Sequence, residues 1–241
     1  MYKELIEENS DIKVEVKPNF GKTSFLYEAL KNDSIDMYPE FTGTITNSLL
    51  EEDLGKISND SKEVYNLAKE KIYDQDKLVY LKPSRFQNTY ALAIKEDYAN
   101  ENNITAGFTL EFNDREDGNK GLKSLYDLNF DVKTMEPALR YTATSNGSIN
   151  LTDVYSTDSQ IITNKLKVLE DNKNLFPPYQ AAPLLREETI KKHPELQEIL
   201  EKLSGKISSE EMTRMNYLVD VEGKSAKEVA RDYLKNNKLI K

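Results

Sequence analysis

The chain contains no cysteine. Disulfides, thiolate metal sites and a cysteine nucleophile are therefore excluded. Histidine is almost as scarce. The single His193 lies in KKHPELQEIL, beside a proline and just ahead of a helical pattern, which is the setting of a surface or capping residue. One histidine leaves no material for a His-cluster metal site or a Ser-His-Asp triad. Tryptophan is absent too. No run approaches the ~18 apolar residues of a membrane-spanning helix, and Met1 leads into the polar MYKELIEEN with no signal-peptide pattern. Positive charge is outweighed, 33 Lys+Arg against 42 Asp+Glu for a net −9, and no basic cluster could track a phosphate backbone. Nucleic acid is not an expected partner, and no metal or cofactor is expected.

What the chain does have is length and tyrosine. Its 241 residues suffice for one large domain or two lobes, and 14 of them are tyrosines. IKVEVKP alternates up to Pro18 and predicts a half-buried strand, preceded by a short helix in MYKELIEENS and followed by a turn at Asn19–Gly21. TSFLYEALKND predicts a helix capped by Thr23 or Ser24 and closed near Asn32–Asp33. IDMYP reads as a short buried strand, which EFTGTITNSLL leaves through a glycine turn into another helix. After the polar insert EEDLGKISNDSK come an amphipathic helix in VYNLAKEKIYDQ and strands in KLVYLKP, NTYALAIKEDYA, TAGFTLEF, DVKTME, INLTDVYSTD, KLKVLED and PLLREE. Helices are expected in GLKSLYDL and in PALRYTATSNG, with Pro137 in its first turn and Gly147 near its end. The tail reads as three helices, with Ser208 or Ser209, and Ser225, ahead of acidic residues as N-caps.

This alternation predicts an α/β protein. Extended stretches near residues 82–90 and 176–186 divide it into one lobe from 1–85 with 184–241 and a second from 86–183. Two crossings imply a hinged pair with a cleft between the lobes, lined by residues beyond the carboxyl ends of parallel strands.

Four aromatics fall at strand exits or in the crossings: Phe41, Tyr90, Tyr155 and Tyr179. Several ring faces around one point attract a cation that forms no directional bonds, such as a quaternary ammonium, at roughly 0.5–2 kcal/mol per face. Taken one at a time, each also fits as a core aromatic. Arg140 in EPALRYTAT is a candidate to grip a ligand carboxylate with its planar fork, or else a structural bridge to Asp158. Arg115 and Asp117 of NDREDG read as an internal pair. Glu136 and Asp153 read as solvated or capping charges.

YEALKNDSIDMYPEFTGT, FNDREDGNKGL, YSTDSQI and VLEDNKNLFPPYQAAPLLREETIKKHPELQEIL, in that order, resemble the osmoprotectant (glycine betaine/carnitine/choline) substrate-binding family of ABC importers. The wording of FNDREDGNKGL and EPALRYTA is closer to its ergothioneine-binding, permease-fused branch. The resemblance implies a two-lobe periplasmic-binding-protein fold of type II, capture of a small quaternary amine, and delivery to a membrane permease without catalysis. It maps the family's aromatic cage onto Phe41, Tyr90, Tyr155 and Tyr179, with Thr44 and Asn88 as polar contacts. Thr44 fits equally as a helix cap. Phe41 stands where many members have Tyr, which keeps the ring face and drops a hydroxyl.

Members begin with a strand and a K-x-F-T-E turn ahead of the helix that MYKELIEEN matches, and run longer near Asn103–Thr105. A segment upstream of Met1 is therefore expected, together with a lipid anchor or a fused permease and an extracytoplasmic, membrane-attached, monomeric lobe pair. Alternatives are a binder of another cationic or zwitterionic solute such as an amino acid, which would set a carboxylate against the amine, and a two-lobed ligand-sensing effector domain, which would need a DNA-binding module. A carboxylate-based hydrolase has no carboxylate pair singled out for it.

Overall fold

The computed structural model describes residues 1–18, 20–50, 57–98 and 104–241. The expected turn at Asn19, residues 51–56 of the polar insert, and Asn103 lie outside these described residues. The chain divides into two compact units, one of residues 1–87, 178–208 and 223–241, the other of 88–177 and 209–222.

In the first unit, β1 (Met37–Phe41), β2 (Leu78–Tyr80) and β8 (Ala181–Arg186) form a sheet in the order β1-β8-β2. Both pairings are antiparallel, with Phe41 opposite Ala181 and Tyr80 opposite Leu184. The helix Ser61–Asp76 starts where the Asp60 carboxylate accepts from the backbone N–H groups of Lys62 and Glu63, satisfying two of the orphan donors of a helix start. Its Val64, Ala68 and Ile72, spaced at helical period, are buried, and the last two join a core with Tyr27, Tyr38, Ile45 and Tyr80.

Two local expectations fail in this unit. IKVEVKP forms no strand. Its central Val14 instead gives its carbonyl to the Lys3 ammonium and its N–H to the Glu7 carboxylate, so side chains meet the backbone needs that a ladder would have met. The helix Thr23–Lys31 takes Lys22 as N-cap, with no side-chain capping bond from Thr23 or Ser24. Asn32 closes it as expected, and Ser225 caps the helix Ala226–Asn236 by accepting from Glu228 N–H.

The second unit holds a five-stranded mixed sheet in the order β5-β4-β6-β3-β7, built from β3 (Tyr90–Lys95), β4 (Ala106–Thr109), β5 (Val132–Met135), β6 (Leu151–Tyr155) and β7 (Leu166–Val168). β4 runs parallel to β5 and β6, while β3 is antiparallel to β6 and β7. Along β3, Tyr90, Leu92 and Ile94 enter one core cluster while Ala91 and Ala93 enter another. That is the period-2 signature of a strand buried on both faces.

The helix Ser209–Asp220 groups with this second unit, although its sequence position placed it with the first. Asn216 donates to the Thr157 carbonyl at 2.8 Å and Thr213 to that of Ser156 at 3.4 Å. Among the described residues no helix is long and apolar enough to cross a membrane.

Candidate functional site

The carboxyl ends of the three parallel strands of the second unit meet around one cavity of about 580 Å³. Thr109 ends β4, Met135 ends β5 and Tyr155 ends β6, and all three line it. Antiparallel register sets Tyr90, the first residue of β3, directly opposite Tyr155. Their rings stack at 5.0 Å and 27°, and the Tyr155 hydroxyl donates to that of Tyr90 at 3.4 Å. Tyr90 is buried against Phe112, whereas Tyr155 remains 42 % exposed. Burial, with added pressure from Tyr155 and Glu111, pushes the Tyr90 phenol well above its ordinary pKa, so it stays neutral. The Arg115 guanidinium lies 5.4 Å from the Tyr90 ring centre and is gripped by both carboxylate oxygens of Asp117 at 2.6 and 2.7 Å, the internal pair expected.

Arg140 also lines the cavity. Pro137 opens the helix Pro137–Ser145, whose Arg140 and Thr144 form its buried side. Arg140 is only 4 % exposed and pairs with Asp153, which has no exposed surface at all. The reading of Asp153 as a solvated or capping charge is thereby corrected. In a sheet covered on both faces, the polar position of the LTDVY alternation points into protein, not water. Asp153 also accepts from the backbone N–H and the hydroxyl of Thr109 at 2.8 and 3.0 Å. Asp158, the bridge partner anticipated for Arg140, stands farther off at 3.9 Å and is reached chiefly through the Tyr141 hydroxyl. Burial works against the Arg140 charge, but Asp153, Tyr141 and Asp158 outweigh it and hold the guanidinium protonated. Its Nε has no hydrogen-bond partner among the described residues. The exposed carboxyl residues Glu111 and Glu136 complete an acidic rim. Asn88 accepts from the Thr157 hydroxyl at 2.8 Å and is not among the residues lining this cavity.

Phe41, Thr44 and Tyr179 belong to the first unit. Phe41 ends β1, Thr44 lies one turn later, and both are half-buried. The neighbouring Glu40 is only 3 % exposed and accepts from the Phe41 N–H at 2.7 Å. Burial raises its pKa, against the opposing pull of the Phe41 N–H and of the Tyr38 and Thr44 side chains. Tyr179 stands just ahead of β8, its N–H donating to Gln87 at 2.8 Å. The Tyr80 hydroxyl lies 2.9 Å from the Glu40 carbonyl and 3.0 Å from that of Gln180, joining the segments that carry Phe41 and Tyr179. Sequence reasoning passed over Glu40, Thr42, Gly43 and Tyr80. Glu40, Thr42 and Gly43 stand inside YPEFTGT, which was the signal for them, whereas nothing local marks Tyr80 in KLVYLKP. No group of three or more His, Cys, Asp or Glu residues among the described residues is placed to hold a metal ion.

Residues 1–236 match the family described as the substrate binding domain of ABC-type glycine betaine transport system. The carnitine transport binding protein OpuCC of Listeria monocytogenes is 35% identical over 251 residues, covering 98% of this chain and 80% of that protein. The ergothioneine transport permease/ergothioneine binding protein EgtU of Helicobacter pylori is 39% identical over 228 residues, 89% of this chain but only 40% of its own length. A crystal structure of a glycine betaine/carnitine/choline ABC transporter superposes with a TM-score of 0.91 at 29% identity, over 99% of this chain and 93% of that one.

Proposed function

Because the chain belongs to the family of substrate-binding domains of ABC-type glycine betaine transport systems, we propose that it captures a small quaternary-ammonium solute on aromatic ring faces and delivers it to the permease of an ABC importer. The fold is of the type II periplasmic-binding-protein kind, as in the solved structure it matches. Family members of this kind bind solutes and catalyse nothing.

The observation that carries the reading is the stacked Tyr90–Tyr155 pair at the mouth of a cavity lined by strand carboxyl ends. Tyr155 presents ring surface to the cavity, and the exposed Glu136 adds a negative charge that draws a cation in, while Glu111 is paired with Arg115 at 3.3 Å. Arg140 lies on the same wall, where its positive charge suits the carboxylate of a betaine-type zwitterion. By the resemblance to the family, the ring faces of Phe41 and Tyr179 and the polar groups of Thr44 and Asn88 are proposed as further contacts. The solute classes carried by the relatives' names, carnitine and ergothioneine, fit this combination of cation and carboxylate. On this reading the working protein lies outside the cytoplasm, attached to the membrane by a lipid anchor or a fused permease, and acts as a monomer.

Calorimetric titration with glycine betaine, carnitine, choline, proline betaine and ergothioneine, and with a free amino acid as control, tests this. Saturable binding of at least one quaternary amine, with none of the amino acid, is expected. Binding of the amino acid alone would overturn the reading.

A further inference from the structure

Thr42 has no exposed surface and Gly43 is buried, so neither offers a surface to a solute. Both nevertheless act on the ring that follows Pro178. We propose that Thr42 and Gly43 are positioning residues for Tyr179, a role that rests on the cage reading above. Thr42 clamps the backbone on either side of that tyrosine, and Gly43, by lacking a side chain, sets how closely the ring lies on the turn after β1.

Thr42 makes three hydrogen bonds to the peptide groups flanking Tyr179. Its N–H donates to the Gln180 carbonyl at 3.0 Å. Its hydroxyl donates to the Pro178 carbonyl at 3.1 Å and accepts from the Gln180 N–H at 3.1 Å. A threonine hydroxyl has one proton to give and lone pairs to receive, so this use is complete. Valine would keep the shape and leave a buried carbonyl and a part-buried N–H without this partner.

Gly43 works through absence. A Cβ at this position would fall 2.6 Å from both Cε2 and Cζ of Tyr179. Ordinary carbon–carbon contacts are about 3.5–4.0 Å, so even alanine requires the ring to retreat by roughly 1 Å. The turn cannot yield instead, because Thr42 is bonded to both sides of the tyrosine and the Thr46 hydroxyl bonds back to the carbonyls of Thr42 and Gly43 at 3.3 Å. The spacing T-G in YPEFTGT is thus tied to the tyrosine of FPPY, far along the chain.

The test is a double-mutant cycle with Gly43→Ala and Tyr179→Ala, read as affinity for glycine betaine, carnitine and ergothioneine with the thermal midpoint of each variant alongside. Gly43→Ala should weaken binding about five- to ten-fold when Tyr179 is present and less than about two-fold when it is not. Equal losses in both backgrounds would overturn the proposal.

Should Gly43→Ala fold poorly, Thr42→Val against Thr42→Ser carries the same question. A roughly ten-fold loss is expected for valine and recovery to within about three-fold for serine. A serine variant as weak as the valine one would remove the hydroxyl clamp. The ring's position is read without any ligand from the fluorine resonance of 3-fluorotyrosine incorporated at position 179, which should shift in Gly43→Ala and in Thr42→Val. If Tyr179→Ala binds normally, the cage reading fails for that ring while the resonance still decides the positioning role. A resonance that stays put in both variants sinks it.

Discussion

Tyr155 is an aromatic ring left 42 % exposed while stacked on a buried one. This makes it the most informative residue to change. Removing it costs little packing, so affinity and folding separate cleanly. If its face holds a quaternary ammonium, Tyr155→Phe should alter affinity little, whereas Tyr155→Ala should cost about 1–2 kcal/mol, some five- to thirty-fold, with the thermal midpoint nearly unchanged. Tyr90→Ala would instead lose about 3–5 kcal/mol of stability, as any buried aromatic does, and is a poorer probe. Glu40 permits a test of a different kind. Burial raises its carboxyl pKa in the folded protein, so the native state keeps this proton to higher pH than the unfolded chain does. Stability attributable to the residue is therefore full below the ordinary carboxylate value and is lost as pH rises through the raised one. Glu40→Gln, which can still accept the Phe41 N–H, should melt higher than the parent at neutral pH and no higher near pH 4. Melting curves across that range check it, and a difference independent of pH would refute it.

Among the elements, β4, β6 and the helix Pro137–Ser145 are joined by one buried polar group, in which Asp153 receives Thr109 from β4 and Arg140 from the helix. Arg140→Ala should destabilise the protein by about 3–5 kcal/mol by stranding a buried carboxylate. Adding Asp153→Asn should recover a large part of the loss, measured as denaturation midpoints. Simple additivity of the two changes would mean that the pair is not coupled. This group also shows where the sequence was opaque. INLTDVYSTD was legible as a strand from its alternation, but alternation alone does not say whether the second face meets water or another layer, and Asp153 was misjudged for that reason. IKVEVKP carried the same pattern and became no strand, since a ladder requires a partner and Lys3 and Glu7 satisfied Val14 first. Most signals resting on short-range chemistry survived, the cap at Thr23 or Ser24 excepted: Ser225 caps its helix, Pro137 opens its own, and Gly147 after that helix has the positive φ of 77° that glycine tolerates. The aromatic positions could be picked out one by one. Their stacking depended on the register of β3 on β6, which no local pattern encodes.

For the whole molecule, a solute that binds only the folded chain raises its stability by mass action, by about 2.7 kcal/mol at a hundred-fold excess over Kd. For a protein of this size the melting point should rise by roughly 5–10 °C with the correct quaternary amine and stay fixed with a sugar. A melting point unmoved by every quaternary amine tried would count against the binding function. The strand order carries one more consequence, for the timing of synthesis. β1 and β2 flank β8 and do not touch each other, so the first unit's sheet waits for a strand encoded more than a hundred positions after Tyr80 and complete only at Arg186. The strands of the second unit, from Tyr90 to Val168, arrive meanwhile in one uninterrupted stretch. At roughly 5–20 residues per second of translation, that delay lasts roughly 5–20 s. During it, the unit whose first strand is made earlier is the unit whose sheet must wait longer.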